Sequence, residues 1–170
     1  MFDELARLAE MSVVERRLRS LGFRAIAGTD EVGRGCLAGP VVAAAVILDA
    51  DCSIFGVRDS KLLDPAARHV VCRRILRRCV ASAIGVVEAE TIDRINILQA
   101  TKLAIHQAVQ QLSTRPDVLV LDAVCVERLD LPQLPLIQGD RRSVSVAAAS
   151  IVAKVYRDLL MESYHDCYPQ

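Results

Sequence analysis

The order of apolar and polar positions predicts alternating helices and strands along the chain. Leu5, Leu8, Val14, Leu18 and Leu21 recur at roughly helical spacing and Gly22 follows them, so residues 2–21 are predicted to form one amphipathic helix. Three apolar stretches then predict strands, and they span 24–29, 40–48 and 53–57. Three early strands in series favour an antiparallel start to a sheet.

The second part of the chain predicts helices that alternate with strands. Asp64 is a suitable N-cap and Pro65 suits the first helical position, so a helix is expected to begin there. Further on, Thr91 is predicted to cap a helix that runs to about Leu112. The remaining elements are strands at 83–87, 118–122 and 134–138 and an Ala-rich helix at 145–161 on which Lys154 and Arg157 share a face. Together these elements predict an α/β domain with a mixed sheet covered by helices.

Length and composition set limits on the class of protein. A chain of 170 residues suits one domain, here residues 1–170. Apolar residues make up 52%, but the longest uncharged stretch, Cys36 to Leu48, is too short to span a bilayer, so no membrane partner is expected. The first residues include two acids where an export signal would need bases, which predicts a cytoplasmic protein. Its six cysteines are then expected to be reduced, small buried hydrophobes.

Charge is balanced, because 21 basic and 21 acidic residues give a formal net charge of zero. No global field favours a polyanion, so any nucleic acid must be held by local patches. Two arginine groups are candidates, although such groups are more often a solvated face: Arg73, Arg74, Arg77 and Arg78, and Arg141 with Arg142.

Four acids fall at the ends of predicted elements. Asp30 and Glu31 directly follow the first predicted strand, Asp122 ends the most hydrophobic one, and Asp140 lies on a Gln-Gly-Asp turn. Each alone could be a turn or helix cap. Together they favour a shared site, because an α/β sheet brings such ends together and an isolated buried carboxylate is very costly.

Clustered carboxylates repel one another unless a hard cation neutralises them. Mg²⁺ prefers carboxylates, waters and phosphate oxygens. Four acids balance two Mg²⁺ ions in formal charge, and a bridging phosphodiester would complete a two-metal site. The cysteines and histidines lack the spacing of zinc ligands.

The segment Gly33-Arg-Gly-Cys-Leu-Ala38 also fits a loose dinucleotide-binding fingerprint. That reading, a protein of the NAD-binding class, is the alternative. It is disfavoured because Asp30 and Glu31 would lie beside the pyrophosphate, and because the following segment is predicted to be a strand rather than a helix.

The run from Ala27 to Leu48 resembles the signature of the ribonuclease HII family, the type 2 ribonucleases H. Further matches follow in the same order over nearly the whole chain: Asp59-Ser-Lys-Leu62, Ile92-Asp-Arg-Ile-Asn-Ile97, Leu121-Asp122, Gly139-Asp140, Ser145 to Lys154 and Arg157-Asp158. The resemblance implies a ribonuclease H-like fold, a mixed sheet of about five strands flanked by helices.

The resemblance also implies an activity. It is hydrolysis of the RNA strand of RNA/DNA hybrids and cleavage at ribonucleotides embedded in duplex DNA, giving 5'-phosphate and 3'-hydroxyl ends with two Mg²⁺ or Mn²⁺ ions. The implied metal-binding and catalytic residues are Asp30, Glu31, Asp122 and Asp140. The implied substrate-binding residues are Gly33, Arg34 and Gly35, whose backbone would approach the ribose 2'-hydroxyl, and Lys61 near the phosphate backbone. A monomer is expected.

One departure from the family pattern concerns the C-terminus. In the family, a Tyr-Pro pair leads into a Lys-Gly-Tyr motif whose tyrosine packs against the nucleotide after the ribonucleotide. This sequence ends at Tyr168-Pro169-Gln170. The expectation is that the chain keeps its metal site but discriminates poorly at the junction between a ribonucleotide and the following DNA.

Overall fold

The computed structural model describes residues 2–50, 54–57, 60, 63–127 and 129–167. Its strands are β1 (Ile26–Val32), β2 (Val41–Leu48), β3 (Cys79–Val87), β4 (Val118–Asp122) and β5 (Gln133–Leu136). Its helices are α1 (Phe2–Met11), α2 (Val13–Ser20), α3 (Pro65–Arg78), α4 (Ala89–Ile95), α5 (Ile97–Gln110), α6 (Gly139–Arg142) and α7 (Val144–Cys167).

The strands form one mixed sheet in the order β3-β2-β1-β4-β5. β1, β2 and β3 pair antiparallel, whereas β4 joins β1 in parallel and β5 joins β4 in parallel. The predicted fold class, a mixed five-stranded sheet flanked by helices, is confirmed.

Helices cover both faces of the sheet. All eight residues of β2 are buried, and they alternate between two cores. Val42, Ala44 and Val46 belong to the core that α1, α3 and α7 share, whereas their neighbours along the strand pack in the core formed with α5. A strand buried on both faces explains why this segment is almost entirely apolar. Among the described residues, no helix has the length and apolar character needed to cross a membrane.

Helix α7 lies unusually close to β1. A Cβ atom added to Gly28 of β1 would lie 2.1 Å from the backbone carbon of Ser145. Glu15 of α2 caps the first turn of α7. Its Oε1 accepts hydrogen bonds from the Ser145 amide at 3.0 Å and from the Ser143 hydroxyl at 2.6 Å. This carboxylate therefore serves as an N-cap supplied from a distant part of the chain.

Two predicted helices are each divided by one residue. The single helix predicted over 2–21 is wrong, because the helix breaks at Ser12, whose hydroxyl donates to the Leu8 carbonyl. Thr91 is not the cap of the next predicted helix, because α4 begins at Ala89. Asn96 then separates α4 from α5, with a φ of 67° and a side chain that accepts from the amides of Leu98 and Gln99.

Three further predictions need correction. The described part of the strand predicted at 53–57, residues 54–57, is a turn with Gly56 at a φ of 91°. The strand predicted at 24–29 continues to Val32, so the first two acids lie inside β1 and not after it. The five described cysteines are free, but only Cys72 among them is buried, because the others lie in loops, at a helix–strand boundary or at the end of α7.

We expect Gly28→Ala to destabilise the chain by about 2 to 4 kcal/mol, because the added methyl group would overlap the backbone of α7. Urea unfolding measures the loss. Gly35→Ala is the matched control, since a Cβ there would meet nothing within 4 Å and the residue has no positive φ. Equal unfolding free energies for the two variants would contradict the close approach of α7 to β1.

Candidate active site

Asp30 lies at the carboxyl end of β1 and faces α7. Its side chain is 8% exposed. Its Oδ1 accepts from the Glu31 amide at 2.9 Å, and the Ser150 hydroxyl of α7 also donates to the carboxylate. The Ser150 hydroxyl in turn lies 3.0 Å from that of Ser60. Asp30 is therefore held by hydrogen bonds from its own strand and from the helix that covers it.

Asp122 and Asp140 lie at the same end of the sheet as Asp30. Leu121 pairs with Thr29 in the parallel β1–β4 ladder, so the next residues, Asp122 and Asp30, lie side by side. The Gly139 amide donates to Oδ1 of Asp122 at 2.9 Å, which joins the start of α6 to the end of β4. Asp140, the next residue of α6, is buried. The structure thus places the four predicted acids on β1, β4 and α6 around one end of the sheet.

The first three acids affect one another electrostatically. Burial, and after it the charge of Glu31, raise the pKa of Asp30 to about 8, and Asp122 adds to the shift. Burial also raises the pKa of Glu31, while its hydrogen bond with Arg34 opposes that shift. Since the charges of Glu31 and Asp122 disfavour ionisation of Asp30, a cation among the three would relieve the repulsion.

The donor atoms fit a hard divalent cation. Oε2 of Glu31 is buried and has no hydrogen-bond partner among the described residues, which is costly unless a ligand satisfies it. Carboxylate oxygens are the ligands that Mg²⁺ and Mn²⁺ prefer. Within the described ranges, no three His, Cys, Asp or Glu side chains are already arranged to hold a metal ion.

The predicted substrate loop follows the acids directly. Arg34 pairs with Glu31, with 3.2 Å between Nη1 and Oε1. Gly33 has a φ of 109° and no room for a Cβ, whereas Gly35 has open space around it. The segment after the loop is β2, a strand, as the sequence predicted, so the helix that a dinucleotide-binding fingerprint requires is missing here.

The other predicted contacts fall in different places. Lys61 lies outside the described residues. Arg141 and Arg142 are exposed on α6, next to Asp140. The predicted arginine group of α3, Arg73, Arg74, Arg77 and Arg78, is also exposed. Arg78 adjoins the start of β3, which pairs with the far end of β2. Leu48, at that end, lies five positions along β2 from Ala43, the residue opposite Glu31, which is a distance of about 17 Å.

Sequence reasoning did not identify Ser150 or the contacts of Arg157. Ser150 is a small residue within an Ala-rich helix, and its partners Asp30 and Ser60 are distant in sequence. The sequence placed Arg157 on a helix face and in a family match without a role, yet it is buried and donates to the carbonyls of Ala38 and Pro40. No local pattern indicates what either side chain contacts.

Comparison with known proteins shows the family of this chain. The family model described as ribonuclease HII matches residues 27–169. The chain belongs to the ribonuclease HII family. Ribonuclease HII of Listeria monocytogenes serovar 1/2a is 49% identical over 97% of this chain and 63% of its own length. That of Lactobacillus delbrueckii subsp. bulgaricus is 57% identical over 85% of this chain and 56% of its own length.

A solved structure has a similar fold. The crystal structure of ribonuclease H2 from Pyrococcus horikoshii OT3 superposes with a TM-score of 0.73 and 27% identity, covering 85% of this chain and 77% of that one. The chain spans roughly three fifths of the length of the two ribonuclease HII relatives.

We expect Asp30→Asn to stabilise the metal-free chain increasingly as pH rises. In the wild type, the folded state holds a proton on Asp30 up to about pH 8, while the unfolded carboxyl loses it near its ordinary pKa of 3.8. The unfolding free energy of the wild type therefore falls as pH rises between these two pKa values. Each pKa unit corresponds to about 1.4 kcal/mol, so the difference in unfolding free energy between variant and wild type should widen by about 2 to 4 kcal/mol from pH 5 to pH 9.

Urea unfolding in EDTA at pH 5, 7 and 9 measures this difference. Asp117→Asn is the control, because backbone hydrogen bonds lower the pKa of Asp117 and its effect should be constant over this range. A difference for Asp30→Asn that does not change with pH would show that the carboxyl titrates normally.

Proposed function

We propose that this chain is a metal-dependent endonuclease of RNA/DNA duplexes. It hydrolyses the RNA strand of RNA/DNA hybrids and cuts at ribonucleotides embedded in duplex DNA, leaving 5'-phosphate and 3'-hydroxyl ends. The observation that carries the proposal is the convergence of Asp30, Glu31 and Asp122, with Asp140 adjoining, at one sheet edge in a chain of this family.

Asp30, Glu31, Asp122 and Asp140 would hold Mg²⁺ or Mn²⁺, two ions in the full site. When bound, the ions would neutralise charge at the scissile phosphate and activate the attacking water. The surrounding residues orient the ligands: Ser150 donates to Asp30, and the Gly139 amide holds one oxygen of Asp122. Fixed ligand orientation matters because outer hydrogen bonds of this kind tune metal affinity.

The substrate would lie over the acids and against the loop that begins at Gly33. Backbone amides of Gly33, Arg34 and Gly35 are proposed to contact the ribose 2'-hydroxyl, which distinguishes RNA from DNA. Arg141 and Arg142 are exposed beside Asp140 and suit phosphates flanking the cut. Lys61 is proposed as a further phosphate contact. The proposal includes residues 1–170 as one catalytic domain that acts as a monomer in the cytoplasm.

The decisive experiment is cleavage of a labelled duplex that contains one ribonucleotide, with Mg²⁺ and with EDTA. We expect cutting only with the metal. Asp30→Asn and Asp122→Asn should each reduce kcat by at least about a hundredfold, because they remove a ligand charge while keeping the side-chain shape. Circular dichroism should show both variants folded.

Asp158→Asn is the matched control, since Asp158 pairs with Arg68 and Lys154 rather than with the acids. Wild-type turnover in both site variants would refute the metal site. Tight NAD binding by calorimetry with no cleavage would instead favour the dinucleotide-binding alternative.

A second prediction concerns sugar recognition by the loop. Gly35→Val should lower kcat/KM about a hundredfold while leaving the unfolding free energy nearly unchanged, because nothing in the chain lies within 4 Å of the added Cβ. Steady-state kinetics and urea unfolding of the same preparation separate the two effects. Normal cleavage by this variant would mean that Gly35 is only part of a turn.

A further inference from the structure

The loop that joins β1 to β2, residues 33–40, has few contacts that fix its position. Residues 34–38 are exposed, and Leu37 is fully exposed. Within the loop, the Cys36 amide donates to the Gly33 carbonyl at 3.2 Å, and Arg34 reaches back to Glu31. Neither bond ties residues 36–40 to the body of the protein.

Arg157 of α7 supplies that connection. Its Nε donates to the Pro40 carbonyl at 3.0 Å and its Nη2 to the Ala38 carbonyl at 2.9 Å. Among hydrogen bonds between described residues, these are the two that join the 33–40 loop to a helix. The side chain reaches across more than a hundred residues of sequence to make them.

The loop is shaped around the guanidinium group. A Cβ on Gly33 would lie 2.9 Å from Nε of Arg157 and 2.6 Å from the Pro40 carbonyl oxygen. Gly39 is similarly close, because its Cβ would lie 3.4 Å from Nη2 of Arg157 and 2.6 Å from the Met161 sulfur. Both glycines have a positive φ. These glycines thus allow the loop to close on the arginine.

The two carbonyl contacts of Arg157 require an arginine at this position. Arg157 is 6% exposed, and the ion pairs found among the described residues do not include it. Burying its charge is costly, and the two carbonyls compensate through charge-assisted bonds. Only a planar, forked donor reaches both oxygens at once, and the single ammonium of lysine does not match that fork.

We propose that Arg157 is a positioning residue that sets where the 33–40 loop lies over the acids, and through it the preference for ribose over deoxyribose. The link to ribose rests on the proposed function. The anchoring itself rests only on the contacts of the guanidinium. Displacement of the Gly33–Gly35 backbone would misplace its amides relative to a sugar held by the acids, and shifts of about 1 Å can cost a hundredfold in rate.

The anchoring is tested without substrate by hydrogen exchange of the metal-free chain. Peptides that cover 33–40 should exchange at least about tenfold faster in Arg157→Lys and Arg157→Gln than in the wild type, because the loop opens more often. Peptides from α5 should not change. Arg16→Lys is the matched control, since Arg16 also donates to a backbone carbonyl, that of Ala9, but on α2.

The consequence for selectivity is tested with two duplexes of one sequence. One contains a single ribonucleotide and gives KM, and the other is all DNA and gives Ki as a competitor. The ratio of Ki to KM should fall about ten- to hundredfold in Arg157→Lys, with Arg16→Lys unchanged. Gly33→Ala disturbs the same contact from the loop side and should lower the ratio similarly. The double variant should lose little more than the worse single variant.

The outcomes separate the anchoring from the activity. Unchanged exchange at 33–40 in both Arg157 variants overturns the proposal, and so does faster exchange with an unchanged selectivity ratio. If the Arg157 variants do not fold, normal selectivity in Gly33→Ala overturns it. If the wild type cleaves neither a hybrid nor the ribonucleotide duplex, the proposed function fails, whereas hydrogen exchange still decides whether Arg157 holds the loop.

Discussion

The contact between the start of α7 and the middle of β1 determines much of this structure. It requires a residue without a side chain at Gly28 and a partner for the first amides of the helix, which Glu15 supplies. Once that start is fixed, Ser150 follows less than two turns later and meets Asp30. The position of a candidate metal ligand therefore depends on backbone packing and not on its own strand alone.

Sequence patterns predicted those elements in which local signals and burial agree. β2 is uniformly apolar, β4 is apolar up to its last residue, Asp122, and α3 begins where Asp64 and Pro65 predict. The failures lie at single residues, Ser12 and Asn96, that divide a helix through local hydrogen bonds. Hydrophobic periodicity continues across such breaks because the flanking helices bury similar faces, so it does not detect them.

Part of the candidate site could be predicted because it too has local signals in the sequence. Acids that follow apolar runs are visible in the sequence, and parallel pairing of β1 with β4 brings Asp30 beside Asp122. Ser150 and Arg157 could not be recognised in this way. Their partners lie about 120 residues away, and a serine or arginine in a helix has no distinctive local pattern. Long-range contacts of this kind emerge only from the packed fold.

Ser150 and Arg157 are seven residues apart on one helix, which is about two turns and 10 Å along its axis. Ser150 contacts Asp30 and Arg157 contacts the 33–40 loop. The length of α7 between them therefore sets the distance from the proposed metal site to the proposed sugar contact. Inserting one residue between them would rotate the second by about 100° away from its partners. The segment 150–157 should therefore tolerate substitutions on its outer side far better than any change in its length.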